Sequence, residues 1–215
     1  MRVNLHSVMQ NATTGTKRRG RPPAFDRDEV VAAAMGAFFL KGLEATTLAD
    51  LEHATGVDRS TLYNSFGGKA GLYESATGTY LSLAEAGLFA PLLDGTDDGY
   101  GDILDFLGNL RTGLTAADAI PGCLIVNDMA AGADPGAAVR YRSLLEDGLR
   151  AALARTGDPD QERRSHRAAL VAASVIGVNL VSKATADPRE IGRLIDALTD
   201  VVMTWTTDGE LLPGD

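Results

Sequence analysis

The 215-residue chain has one cysteine, Cys123, three histidines and one tryptophan. A lone cysteine cannot close an intramolecular disulfide. This excludes a disulfide scaffold and favours a reducing, cytoplasmic setting. His6, His53 and His166 are far apart and no Cys/His pair has ligand spacing, so no metal site is expected. G-x-S-x-G, P-loop and dinucleotide-binding patterns are absent, which speaks against an enzyme and against a bound cofactor. The longest charge-free apolar stretch, Ala168 to Ser182, has 15 residues. A bilayer span needs about 20, so a buried helix is expected there and no membrane partner. Met1–Lys17 is polar and lacks the apolar core of a secretion signal. Sustained polar–apolar alternation is missing too, leaving little support for strands.

Basic charge is scarce overall but concentrated. The net charge is −9, from 20 Lys and Arg against 29 Asp and Glu. Residues 1–75 hold nine of those cations and eight of the anions, whereas the remainder is strongly acidic. Lys17, Arg18, Arg19 and Arg21 fall within five positions. A basic arm on an acidic body can bind phosphates that the body repels. Gly20, Pro22 and Pro23 keep such an arm extended, and its arginines suit a narrow minor groove.

The segments between the eight prolines are rich in Ala and Leu, and the chain reads as all-α. Asp26 with Glu29 marks a helix start. Val30, Ala34, Ala37 and Phe38 recur on one face, and Gly42 supplies a left-handed stop. Thr47 and Asp50 form a capping box for a second helix, with Leu48, Leu51 and Ala54 on one face before Gly56. Asp58 caps a third helix that ends before Gly67. Two short capped helices around a glycine turn are a helix-turn-helix signature. A fourth helix from Lys69 carries Leu72, Ala76, Tyr80, Leu83 and Ala84 on one face. Further helices are expected near 99–117, 122–132, 135–156, 160–184 and 189–207. Thr13–Gly20 and Leu211–Asp215 read as mobile termini.

Val57, Leu62 and Phe66 can hold the third helix against the first two. Arg59, Ser60, Thr61, Tyr63 and Asn64 then remain for an outer face. Arginine can read guanine and asparagine adenine, while the hydroxyls bond to phosphates or bases. The same residues could instead form a solvated polar face. The basic arm and the capped glycine turn weigh against that reading.

The stretch Gly20–Leu72 resembles the DNA-binding domain of the TetR family of bacterial transcriptional repressors. The resemblance rests on Arg21-Pro22-Pro23, Ala37-Phe38-Phe39-Leu40-Lys41-Gly42, Thr46-Thr47-Leu48-Ala49-Asp50-Leu51, Ala54-Thr55-Gly56-Val57 and Ser60 through Leu72. A weaker likeness to one branch of the family lies in Pro121–Asn127. The resemblance implies a basic arm at 1–19, a helix-turn-helix domain at 20–68 and a larger helical effector-binding and dimerisation domain at 69–210. It implies that Thr47, Tyr63 and Lys69 contact phosphate and that Arg59, Ser60 and Thr61 meet bases. Asn64, Arg19 and Arg21 complete the DNA-binding set. Gly68 departs from the family, which usually has Ser, Asp or Asn there.

The expected partners are a double-stranded operator, a second copy of the chain and a small-molecule effector of unknown identity. Two C-terminal stripes suit a four-helix dimer interface: Ala168, Val171, Ala172, Val175 and Val178–Asn179, then Ile191, Leu194, Ile195, Leu198, Val201, Val202 and Trp205. Cys123 and Asn127 are candidates for the ligand site. Two alternatives remain open: redox or electrophile sensing through Cys123, and DNA binding with no effector. Deleting residues 1–19 is expected to weaken DNA binding and flatten its dependence on salt. Unchanged affinity across a salt titration would contradict this.

Overall fold

The computed structural model describes residues 25–95, 98–129, 132, 134–185 and 187–208. The basic arm with Arg19 and Arg21, and the stretch Leu211–Asp215, lie outside them. The described residues form ten helices and no strand: α1 Arg27–Ala45, α2 Leu48–Thr55, α3 Arg59–Phe66, α4 Lys69–Ala86, α5 Ala90–Leu93, α6 Gly99–Thr115, α7 Leu124–Met129, α8 Pro135–Arg155, α9 Gln161–Thr185 and α10 Pro188–Asp208. The architecture is all-α, with an N-terminal helix-turn-helix. Pro135 and Pro188 open their helices and Pro91 sits in the first turn of α5. The missing N–H of proline costs nothing at these positions.

The chain divides into two compact units. Among the described residues, the first takes in those up to 83 and returns for those from 123 to 138; the second holds those from 84 to 122 and from 139 onward. In the first unit α1 is the central element. Its buried residues Val30, Val31, Ala34, Met35, Phe38, Phe39 and Leu43 pack toward α2 and α7. Asp26 caps it by accepting the Asp28 and Glu29 N–H groups. Gly42 breaks the helix as expected, but in a different conformation. Its φ of 77° is paired with ψ of 169°, an extended arrangement rather than the left-handed helical one. Three residues, Leu43 to Ala45, then complete the helix.

In the second unit α6 packs against α5 and α10, and α9 against α10. Phe89 stacks on Phe106 at 5.6 Å and meets Tyr141 edge-on at 5.8 Å. Asp102, buried in α6, accepts two hydrogen bonds from the Arg155 guanidinium at 2.8 and 3.1 Å. By length and composition alone α9 could cross a membrane. Within this unit, however, the face made by Ala168, Val171, Ala172, Val175, Val178 and Asn179 is buried. That stripe, expected at a dimer interface, is core of the single chain. The same holds for Ile191, Ile195, Val202 and Trp205 of α10. Both stripes were legible as apolar, but a sequence period cannot say which neighbour covers an apolar face.

The loop ahead of α9 is tied by Asp158. It accepts bonds from Arg163 and from the Asp160 N–H, with Arg167 at 3.5 Å. Hydrogen bonding to Arg163 holds the Asp158 carboxyl down at about 2. Its contribution to stability is therefore complete above the ordinary value of 3.8 and is lost as pH falls through about 2. Asp158→Asn is expected to flatten the decline of the thermal midpoint over that window. An unaltered acid profile would contradict the assignment.

Candidate nucleic-acid interface

The helix-turn-helix is built from short elements that need outside support. An isolated helix of eight residues is unstable in water, so caps and burial must hold α2 and α3 in place. For α2 the Thr47 capping box is formed in full. Thr47 Oγ1 accepts the Asp50 N–H at 3.1 Å, and Asp50 Oδ2 accepts the Thr47 N–H at 2.9 Å. The Thr47 hydroxyl also donates to Asp50 Oδ2. Lys41 donates to Asp50 Oδ1 at 2.6 Å. Foremost through Lys41, and then through Thr47, the Asp50 carboxyl is held well below the usual carboxylate range. Gly56 follows α2, as read from sequence, and lies in the left-handed region. Leu51 is buried, while Ala54, expected on the same face, is exposed. Eight residues make barely two turns, and only one position faces the core.

The Asp58 carboxylate caps α3, accepting the Thr61 N–H and the Ser60 hydroxyl, each at 2.7 Å. Arg59 N–H donates to Glu52 Oε1 at 2.7 Å, fastening the start of α3 to α2. Leu62 and Phe66 are its buried residues; Val57 is half-buried. Arg27, which sequence reasoning did not single out, closes the far end. Its guanidinium lies 4.2 Å above the Phe66 ring and donates to the Ser65 carbonyl at 2.7 Å. A cation over an aromatic face is attractive by about 0.5–1 kcal/mol at an exposed site.

The remaining side chains divide cleanly. Arg59, Ser60, Tyr63 and Asn64 are exposed and recur at the spacing of one helix face. Thr61 stands at the edge of that face and is half-buried. The Ser60 hydroxyl is engaged by Asp58, whereas the Arg59 guanidinium has no partner among the described residues. Tyr63 is 54% exposed. The departure at Gly68 has a local cause. Its φ is +86°, and a Cβ there would stand 2.8 Å from the Tyr63 ring. Glycine thus leaves room for Tyr63 to lie along the chain between α3 and α4. The Lys69 ammonium donates to the carbonyls of Leu43 and Glu44 at 2.9 and 3.3 Å, joining the start of α4 to the end of α1.

The two ligand candidates lie in the first unit, one helical turn apart. Cys123 is 3% exposed, and its sulfur accepts the Tyr80 hydroxyl at 3.3 Å. Tyr80 in turn meets Phe39 of α1 edge-on at 6.0 Å. Both polar atoms of the Asn127 amide are buried with no hydrogen-bond partner among the described residues. A separate open groove of about 430 Å³ lies in the second unit, floored by Leu92, Leu93, Val139, Leu144 and Ala151. Neither Cys123 nor Asn127 lines it. Among the described residues no cluster of His, Cys, Asp and Glu is arranged to hold a metal ion.

Thr47→Ala removes one half of the capping box and is expected to lower stability by about 1 kcal/mol. Thr47→Ser should retain most of it. Urea unfolding of the two variants checks this, and equal losses would contradict it.

Comparison with known proteins agrees with this geometry. Residues 30–76 match the family described as bacterial regulatory proteins, tetR family. The HTH-type transcriptional repressor ComR of Escherichia coli (strain K12) is 36% identical over 112 residues, which are 52% of this chain and 53% of ComR. The repressor BdcR of the same organism is 34% identical over 62 residues, 29% of this chain and 32% of BdcR. The matched stretch thus spans about half the length of ComR and a third of BdcR. Among solved structures, a cysteine mutant of the TetR family transcriptional regulator CifR, complexed with 26-bp double-strand operator DNA, superposes with a TM-score of 0.71 at 24% identity. It covers 84% of this chain and 98% of that one. A TetR family regulator from Cytophaga hutchinsonii gives 0.68 at 20% identity, covering 83% and 93%. These two likenesses establish the fold. Together with the helix-turn-helix described above, the match shows that residues 30–76 are similar to the bacterial regulatory proteins of the tetR family.

Proposed function

We propose that this chain is a transcriptional repressor that binds a palindromic operator as a homodimer and leaves it when a small-molecule effector binds. The carrying observation is the exposed face of α3. Arg59, Ser60, Tyr63 and Asn64 stand together on a helix whose opposite side is buried and whose ends are clamped. Such a helix fits the major groove with its first turn toward base edges. In this reading Arg59, Ser60, Thr61 and Asn64 face bases. Tyr63 and Thr47 bond to phosphate, and Arg19 and Arg21 follow the minor groove. Lys69 spends two of its three N–H groups on α1 carbonyls and has one left for a phosphate. The operator DNA named for the CifR complex supports a duplex as partner.

Dimerisation draws support from apolar side chains left outside the core. Leu170 and Leu180 of α9, with Leu194 and Val201 of α10, are each 39% exposed or more. They neighbour the stripes read from the sequence but are not the same residues, apart from Leu194 and Val201. A second copy would bury them. The effector reading rests on Asn127. A buried amide with neither atom paired is costly, and a ligand offering a donor and an acceptor relieves that cost. Burial of Cys123 supports its reading as a small core residue over a sensor of bulky electrophiles.

Selecting bound duplexes from a random pool tests this reading. The expected product is a palindrome with half-sites one helical turn, about 34–36 Å, or a multiple apart. Tyr63→Phe is then expected to weaken binding evenly across sequences. Arg59→Ala and Thr61→Ala should relax the preference at single positions, each by about 1–3 kcal/mol of discrimination. Enrichment of no duplex over random competitor at moderate salt would refute the proposal.

A further inference from the structure

The segment 123–138 folds with the first unit although residues 84–122 of the second precede it. One of its side chains reaches the turn that ends α1. Asp128, at the end of α7, accepts the Leu43 N–H at 3.0 Å and the Tyr73 hydroxyl at 2.8 Å, both on Oδ2. Its other oxygen lies 2.7 Å from where a Cβ on Gly42 would stand. Gly42 is the residue whose φ of 77° and ψ of 169° break α1. Burial, followed by the bond to Asp128, pushes the Tyr73 hydroxyl well above its usual range and keeps it a donor.

We infer that Asp128 is a positioning residue of the DNA-reading unit, fixing the turn at Gly42 from which α2 and α3 take their direction. The inference rests on the DNA-binding reading above and adds to it a residue 85 positions downstream of the turn.

The geometry around the turn supports it. The polar groups from Gly42 to Glu44 are held on several sides. The Gly42 carbonyl accepts the Thr46 hydroxyl at 2.6 Å, and those of Leu43 and Glu44 accept Lys69. Asp128 supplies the partner for the Leu43 N–H. Thr46 is fully buried, and the next residue, Thr47, is the cap of α2. Between Gly42 and Thr47 the chain therefore has no slack to absorb an error in direction. Tyr73, 2% exposed, meets Phe38 of α1 edge-on at 5.0 Å, so the second donor to Asp128 is itself fixed. Both groups donating to the carboxylate are neutral. The role requires an acceptor oxygen in that place rather than a charge.

The test compares Asp128→Ala with Asp128→Asn in the full chain, using the duplex selected above and working well below both thermal midpoints. Asp128→Ala loses two acceptor contacts and is expected to bind about tenfold more weakly. Asp128→Asn keeps an oxygen in position and should bind within about threefold of wild type. Exchange of the Leu43 amide hydrogen should accelerate in Asp128→Ala alone. Tyr73→Phe removes one donor without opening a cavity and should give an intermediate loss, which keeps the inference testable if Asp128→Ala does not fold. Wild-type affinity in Asp128→Ala would overturn the inference, as would equal losses in the Ala and Asn variants. If the wild type itself binds no duplex, the DNA-binding reading fails, and Leu43 exchange alone decides the role of Asp128: faster exchange in Asp128→Ala supports it, unchanged exchange overturns it.

Discussion

An eight-residue helix that must present a polar face to a partner has little to hold it. Only Leu62 and Phe66 anchor α3 in the core, and two such side chains contribute a few kcal/mol at most. The rest of the first unit serves that constraint. Asp58 and Glu52 hold the start of α3, and Arg27 holds its end. The α2 cap and the braced turn after α1 fix the platform on which it stands. Loss of any one of these is expected to leave the polar residues present but misdirected.

Much of this was legible because it is local. Asp26 and Thr47 show in sequence as a short polar residue followed three positions later by an acid, Asp58 as an aspartate heading a short polar segment, and all three cap as read. Gly56 and Gly67 end their helices with φ of 70° and 76°. The outer face of α3 followed from subtracting two apolar positions from one short segment. The long helices of the second unit were placed within a few residues, because prolines and glycines mark their ends. The four-residue α5 passed unnoticed; one turn shows no period.

What was not legible is non-local. Gly42 read as an ordinary helix stop. Its extended ψ goes with a contact from a carboxylate far along the chain, which could not be read from its neighbours. Gly68 appeared as a missing cap, although it makes space for the Tyr63 ring. The stripe at Ala168 to Asn179 has the small residues of a close helix contact, but that contact lies within the chain. Lys69 shows the same limit. Its position matched a phosphate ligand, while its ammonium is shared with two carbonyls of α1.

The central claim concerns which surface meets the duplex. Backbone amide shifts of labelled protein, recorded on titration with a bound duplex, address it residue by residue. The account predicts the largest changes at Arg59, Ser60, Tyr63 and Asn64, with a second group at the start of α2. Changes confined to α6, α9 or α10, with α3 unmoved, would contradict it.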